Sequence, residues 1–199
     1  MGKSDRLSYR ICGLFFAFED LTRRMIKIKM NLVKIITKQT EILFKNLRDQ
    51  LEGAELERML DNVNNSRFLF HALHSLDRYF INPQKYEYEA GEKIGIEERY
   101  SIISEEREGY VEADGYVIPR ETLLAYYDFV EAKIFDYLHN LKDEELTQKP
   151  KGCEHTKLAL ILGQFRHLMF HLGLSEAVTF EVKGEWLAYT GFSYISKNY

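Results

Sequence analysis

Between Met30 and Gln50 apolar residues recur at Leu32, Ile35, Ile36, Ile42, Leu43 and Leu47, with Lys34, Lys38, Lys45 and Arg48 between them. That near-3.6 spacing predicts an amphipathic first helix. A second helix is predicted to start at Asn64, Asn65 or Ser66, all good N-cap types. It carries Phe68, Leu69, Leu73, Leu76 and Phe80 and stops at Asn82-Pro83. Pro119 suits a helix start, and Leu123, Leu124, Tyr127, Val130, Ile134, Phe135 and Leu138 continue a third helix to Leu141. After a turn region marked by Asp143-Glu144-Glu145, Pro150 and Gly152, a fourth helix is predicted from about Glu154 to at least Leu174. Its apolar positions are Leu158, Leu162, Phe165, Leu168, Met169 and Leu172.

The rest of the chain has another texture. Residues 84 to 118 are tyrosine-rich and acidic, broken by Gly91, Gly95, Gly109 and Gly115, with no sustained period. They read as a long connection between helices two and three with short helical pieces, and connections of that size are more often functional than idle. The acidic run Glu105, Glu106, Glu108 reads as a solvated face. The tail, with Trp186, Tyr189, Phe192 and Tyr194, suits either a fifth short helix or an extended segment. The expected architecture is therefore all-α: a four-helix bundle over residues 30–199, preceded by an N-terminal extension, residues 1–29. That extension is either an added packing helix or a stretch upstream of translation starting at Met25 or Met30.

Composition narrows the function. At 199 residues the chain suits one domain and buries a sizeable core without disulfides or a structural metal, so a metal here points to chemistry. A net charge of -4, with no basic stripe, speaks against a nucleic-acid partner. Cys12 and Cys153 form neither a disulfide framework nor a CxxC pair, which suits a reducing cytoplasm. The apolar stretch from Ile11 to Phe18 imitates a signal peptide but runs straight into Glu19, Asp20, Arg23 and Arg24. We expect no secretion signal and no membrane span.

The residues that carry chemistry are histidines. His167 and His171, four apart on a helix, project from one face about one turn (roughly 6 Å) apart and can converge on one ion. His71 completes a three-imidazole site if helices two and four are neighbours, since metal sites in bundles are built from side chains on facing helices. Its apolar context, Phe68, Leu69, Phe70 and Leu73, requires a partner for the ring; a metal is one and a backbone carbonyl is the other. His74, one turn on, competes for the third position. With Asp77 as its candidate hydrogen-bond partner, it reads rather as supporting the ligands or lining the pocket. His139 and His155 look like exposed or helix-end residues. An HxxxH pair also arises by chance on many helices, so the alternative is a bundle whose histidines are satisfied by ordinary hydrogen bonds. No GxSxG, P-loop, GxGxxG or HExxH pattern competes with the histidines.

Two stretches resemble the signatures of the DinB/YfiT-like superfamily of metal-dependent enzymes. These are His71-Ala72-Leu73-His74-Ser75-Leu76-Asp77-Arg78-Tyr79-Phe80 and Arg166-His167-Leu168-Met169-Phe170-His171-Leu172-Gly173. The resemblance covers roughly residues 31 to 175 in helix order, with Thr122 to Leu146 similar to the family's third helix. It implies a DinB/YfiT-type bundle in which His71, rather than His74, joins His167 and His171 around a divalent ion, most often nickel or zinc. Two features depart from the family: the 84–118 connection is longer than a minimal one, and residues 1–29 have no counterpart.

Three neutral imidazoles leave an ion its full charge and an open position, so it can lower a bound water's pKa to about 7 or bind a thiol as thiolate. Some members of that family are thiol S-transferases using a low-molecular-weight thiol such as bacillithiol or mycothiol and others are hydrolases, so the resemblance implies a metal site more firmly than a reaction; a small-molecule substrate, a homodimer and a thiol S-transferase are the first expectation. A metal-dependent hydrolase, with Asp77 or a tyrosine of 84–118 handling protons, is the alternative enzyme. A non-enzymatic helical module that binds a metal or a small ligand is the third reading.

Overall fold

The computed structural model describes residues 31–60, 62–103 and 115–191. The expected N-terminal extension, Cys12, Met25, Met30, the run Glu105–Glu108, Phe192 and Tyr194 lie outside the described residues.

The architecture is mostly helical, as the hydrophobic pattern requires. Helix α1, Leu32–Gly53, buries Ile36, Leu43, Phe44, Leu47 and Leu51, while Ile35 is turned outward, 49% exposed. On its polar side Lys45–Asp49 and Arg48–Glu52 pair one turn apart. A two-residue antiparallel hairpin that the periodicity does not announce follows: β1, Met59–Leu60, and β2, Val63–Asn64, with Met59 opposite Asn64.

Helix α2, Asn65–Tyr79, starts where the cap residues predict it, since the Asn64 side chain accepts the Arg67 N–H at 3.3 Å. It is the central element: every residue from Asn65 to Asp77 except Phe68 is buried. The connection holds α3, Glu89–Ile94, and tight turns at Pro83–Lys85 and Glu98–Ser101. Its end is stitched to the start of α2, where Asn64 Nδ2 donates to the Tyr116 carbonyl at 2.7 Å and the Ile118 N–H donates to Ser66 Oγ at 2.9 Å.

Helix α4, Arg120–Asn140, follows directly on Pro119. It packs Tyr127 and Phe135 against Phe44, and Tyr126 against Phe70. Helix α5, Lys157–Lys183, is capped by Thr156 and ended by Gly184, whose φ of 73° only glycine adopts without strain. It runs antiparallel to α2: Thr179 Oγ1, near its end, accepts the Glu55 N–H at 3.1 Å, and the Glu55 carbonyl accepts from Asn65 at 2.6 Å.

The fourth helix runs past Leu174 to Lys183, and two of its apolar positions, Leu162 and Met169, are 42% and 39% exposed. The cause is that α5 is apolar around most of its circumference, so apolar residues fall on its outer side as well as its inner one. Residues 185–191 form neither a helix nor a strand. No helix among the described residues is long and apolar enough to cross a membrane.

Candidate metal centre

The antiparallel pairing of α2 with α5 sets His71 against His167 and His171. His71 and His171 are buried and His167 is half-buried. Nε2 of His167 lies 3.2 Å from Nε2 of His71 and 2.9 Å from Nε2 of His171. Among the described residues these three form the one cluster of ligating side chains close enough to share an ion, all within 4.8 Å of one another.

His71 has a defined tautomer. Its Nδ1 is 2.6 Å from the carbonyl of Ser101. A carbonyl only accepts, so Nδ1 carries the proton and Nε2 presents a lone pair to the other two rings. The Ser101 carbonyl is itself held in place. Arg67, one turn before His71 and 1% exposed, donates to the carbonyls of Tyr100 at 3.3 Å and Ile102 at 2.7 Å, with its guanidinium over the Tyr100 ring. Three consecutive carbonyls, 100 to 102, are thus turned toward one face of α2.

These nitrogens fit a metal ion. Two ligands each about 2.1 Å from one ion stand about 3.0 to 3.4 Å apart for angles of about 90 to 110°, and the observed separations are 3.2 and 2.9 Å. With the His71 Nε2 lone pair fixed, one proton on His167 Nε2 bonds a single neighbour or is shared weakly between two. A cation at the centre satisfies all three nitrogens. Burial first, then the two neighbouring rings His71 and His167, whose protonation would oppose a second positive charge, push His171 down to about 3, so its ring is neutral and able to ligate at physiological pH. The other nitrogen, His171 Nδ1, is buried without a hydrogen-bond partner.

His74 and Asp77 are placed differently from one another and from the cluster. His74 Nε2 bonds Glu98 at 2.9 Å, so its partner is Glu98 and not the expected Asp77. Its ring stands edge-on to Tyr86 and Tyr88. Burial lowers its pKa, opposed by the Glu98 carboxylate. Asp77, four residues of helix further from the cap than Leu73, faces α4: it accepts from Tyr126 Oη at 2.8 Å and from Lys133 Nζ at 2.5 Å. His139 and His155 are exposed, at the end of α4 and just before α5.

Sequence reasoning missed Arg67, Ser101 and Glu98. Arg67 left a signal: Arg67, Phe70, His71 and His74 share one helix face, so an arginine in that stripe had to be buried and bonded. Ser101 acts through its backbone carbonyl, which no residue type announces. Comparison with protein families, with characterised proteins and with solved structures found no match to the chain.

Proposed function

We propose that this chain is a DinB/YfiT-like metal-binding bundle in which His71, His167 and His171 hold one divalent ion, nickel or zinc, through their Nε2 atoms. We further propose that it is a metal-dependent enzyme of thiol S-transferase type acting on a small electrophile. The observation that carries the metal reading is the convergence of three Nε2 atoms with His71 oriented from behind by a backbone carbonyl. Outer partners of that kind orient ligating histidines and raise their basicity. When bound, the ion would supply a positive centre that holds a low-molecular-weight thiol as its thiolate.

The protein's part is to keep the His171 ring neutral, to aim three Nε2 atoms at one point, and to leave the ion uncompensated. Among the described residues no carboxylate joins the cluster. This favours the transferase over the hydrolase. Asp77, the expected base, is engaged with Lys133 and Tyr126, and Glu98 with His74, so neither is free to take a proton from water at the site. In the transfer itself the sulfur attacks the electrophilic carbon, a C–S bond forms, the leaving group departs with the carbon's bonding pair, and the thiol proton goes to solvent.

The test is metal analysis of the purified protein beside His71→Ala and His167→Ala, followed by thiol-conjugation assays with bacillithiol, mycothiol or glutathione and a chloronitrobenzene. About one equivalent of metal in the wild type, lost in both variants, is expected. Wild type and variants all metal-free after reconstitution with nickel and zinc would overturn the metal reading. Turnover that needs no added thiol would overturn the transferase and favour the hydrolase.

A further inference from the structure

A groove of about 320 Å³ runs along the flank of α5 turned away from the histidines. At 100° per residue its wall residues Gly173 and Glu176 lie roughly 140 to 160° around the helix from His171. The segment 186–189 forms the facing wall. That segment is firmly attached. The Asn46 amide bonds both backbone groups of Thr190, at 3.0 and 2.7 Å, and Glu176 Oε1 accepts the Leu187 N–H at 2.7 Å. A Cβ on Gly53 would come within 2.7 Å of the Leu187 side chain, so glycine there lets the segment lie close. Trp186 stacks on Phe180 with centroids 4.2 Å apart.

The chemistry of the lining is one-sided. Its walls are mostly apolar, and Glu176 carries the sole formal charge among the described lining residues, with no lysine or arginine beside it. Gln50, 7% exposed, donates its Nε2 to Glu176, while its Oε1 is buried without a partner. Trp186 and Tyr189 contribute two largely exposed aromatic rings. At Gly173 an added Cβ would meet nothing within 4 Å, so the groove is open there.

We infer that this groove binds a small apolar amine in its protonated form. A carboxylate with no competing cation supplies the charge complement, and the spare Gln50 oxygen can take an N–H. The aromatic rings favour an ammonium close to their faces, and the apolar walls bury the ligand's body. A carboxylate or phosphate ligand would meet Glu176 with nothing to compensate it. The volume lies at the small end of small-molecule sites. The inference is independent of the metal centre, which lies on the other flank of α5.

Trp186 is the protein's single tryptophan, so its emission reports on this groove alone. The experiment titrates the full-length protein with 2-phenylethylamine, 3-phenylpropionate and 2-phenylethanol while following Trp186 fluorescence. The expected result is a saturable change with the amine, weaker binding of the alcohol and none of the acid. Glu176→Gln should weaken the amine by about tenfold, and Gly173→Leu, which fills the groove on a helix that accepts leucine, should abolish its binding. Equal binding of amine and acid in the wild type, absence of saturation with the amine, or undiminished amine binding by Gly173→Leu would each overturn the inference.

Discussion

Replacing Arg67 with methionine separates the contribution of the connecting segment to the proposed metal site from that of the helices. The guanidinium is buried and donates to the carbonyls of Tyr100 and Ile102, at 3.3 and 2.7 Å. Hydrogen bonds from a charged donor contribute about 1.5 to 3 kcal/mol each, and the longer of these two belongs at the low end. Methionine keeps much of the side-chain volume, so the loss should be mainly that of the bonds, about 3 kcal/mol, read by urea unfolding. The effect on the metal has a different origin. Ser101, between the two anchored carbonyls, holds His71 Nδ1–H at 2.6 Å. Losing an outer partner of a ligating histidine costs about 10- to 100-fold in metal affinity, measured by competition with a chromogenic chelator. Arg67→Lys, which retains the charge but not the two-pronged geometry, should fall between wild type and Arg67→Met. If Arg67→Met loses stability as expected yet binds zinc and nickel as tightly as wild type, the segment supports the fold without tuning His71, and the reasoning fails.

Two further outcomes are expected. Lys133→Met leaves the Asp77 carboxylate buried with Tyr126 as its remaining side-chain donor. Breaking a buried pair costs about 3 to 5 kcal/mol, less here because Lys133 is one-third exposed. Urea unfolding should show a loss of about 2 kcal/mol with metal content unchanged, and a loss of metal would place Asp77 in the centre after all. In chelator-treated protein, stability should fall as pH drops below 6.5, because burial and the neighbouring His71 and His167 push His171 down to about 3. Between those values the unfolded chain binds a proton that the folded one does not, at up to about 1.4 kcal/mol per pH unit and roughly 2 kcal/mol by pH 5. Above 6.5 the contribution is flat. His171→Phe should lack this slope in unfolding curves at pH 7 and pH 5, and an unchanged slope would sink the assignment.

The parts of this structure that were legible in the sequence are those with a period. The spacing of Leu43, Leu47, Leu69, Leu73, Leu76, Val130 and Ile134 specifies which faces meet, and Asn64 and Pro119 mark where two helices start. His167 and His171 share a face because four residues make about one turn. Their meeting with His71 depended on which helices are neighbours, which local pattern does not fix. What was not legible depends on backbone and on long-range partners. Glu98 replaces Asp77 beside His74 because the connection folds back over α2, and the i, i+3 proximity of Asp77 is overridden when its side chain turns to Lys133 and Tyr126. The outward apolar residues of α5, Leu162, Met169 and Phe170, obey no single stripe, so apolar type alone does not tell which side of that helix is buried.

The 84–118 connection is longer than a minimal bundle connection, and the described part of it explains the length physically. A short turn could join α2 to α4, but it would not place a carbonyl behind His71. To do so the chain travels down through α3, returns past Glu98 to bond His74, and presents carbonyls 100 to 102 to Arg67 and His71 before its far end is stitched to Asn64 and Ser66. Every one of these contacts falls on α2 or on its cap residue Asn64, and the helix's thirteen-residue stretch from Asn65 to Asp77 is buried but for Phe68. The helix that carries the first imidazole is therefore clamped by α5 on one side and by the connection on another. A ring so held keeps its tautomer and direction without help from an ion, and that is the condition for three Nε2 atoms to stand preassembled around one point.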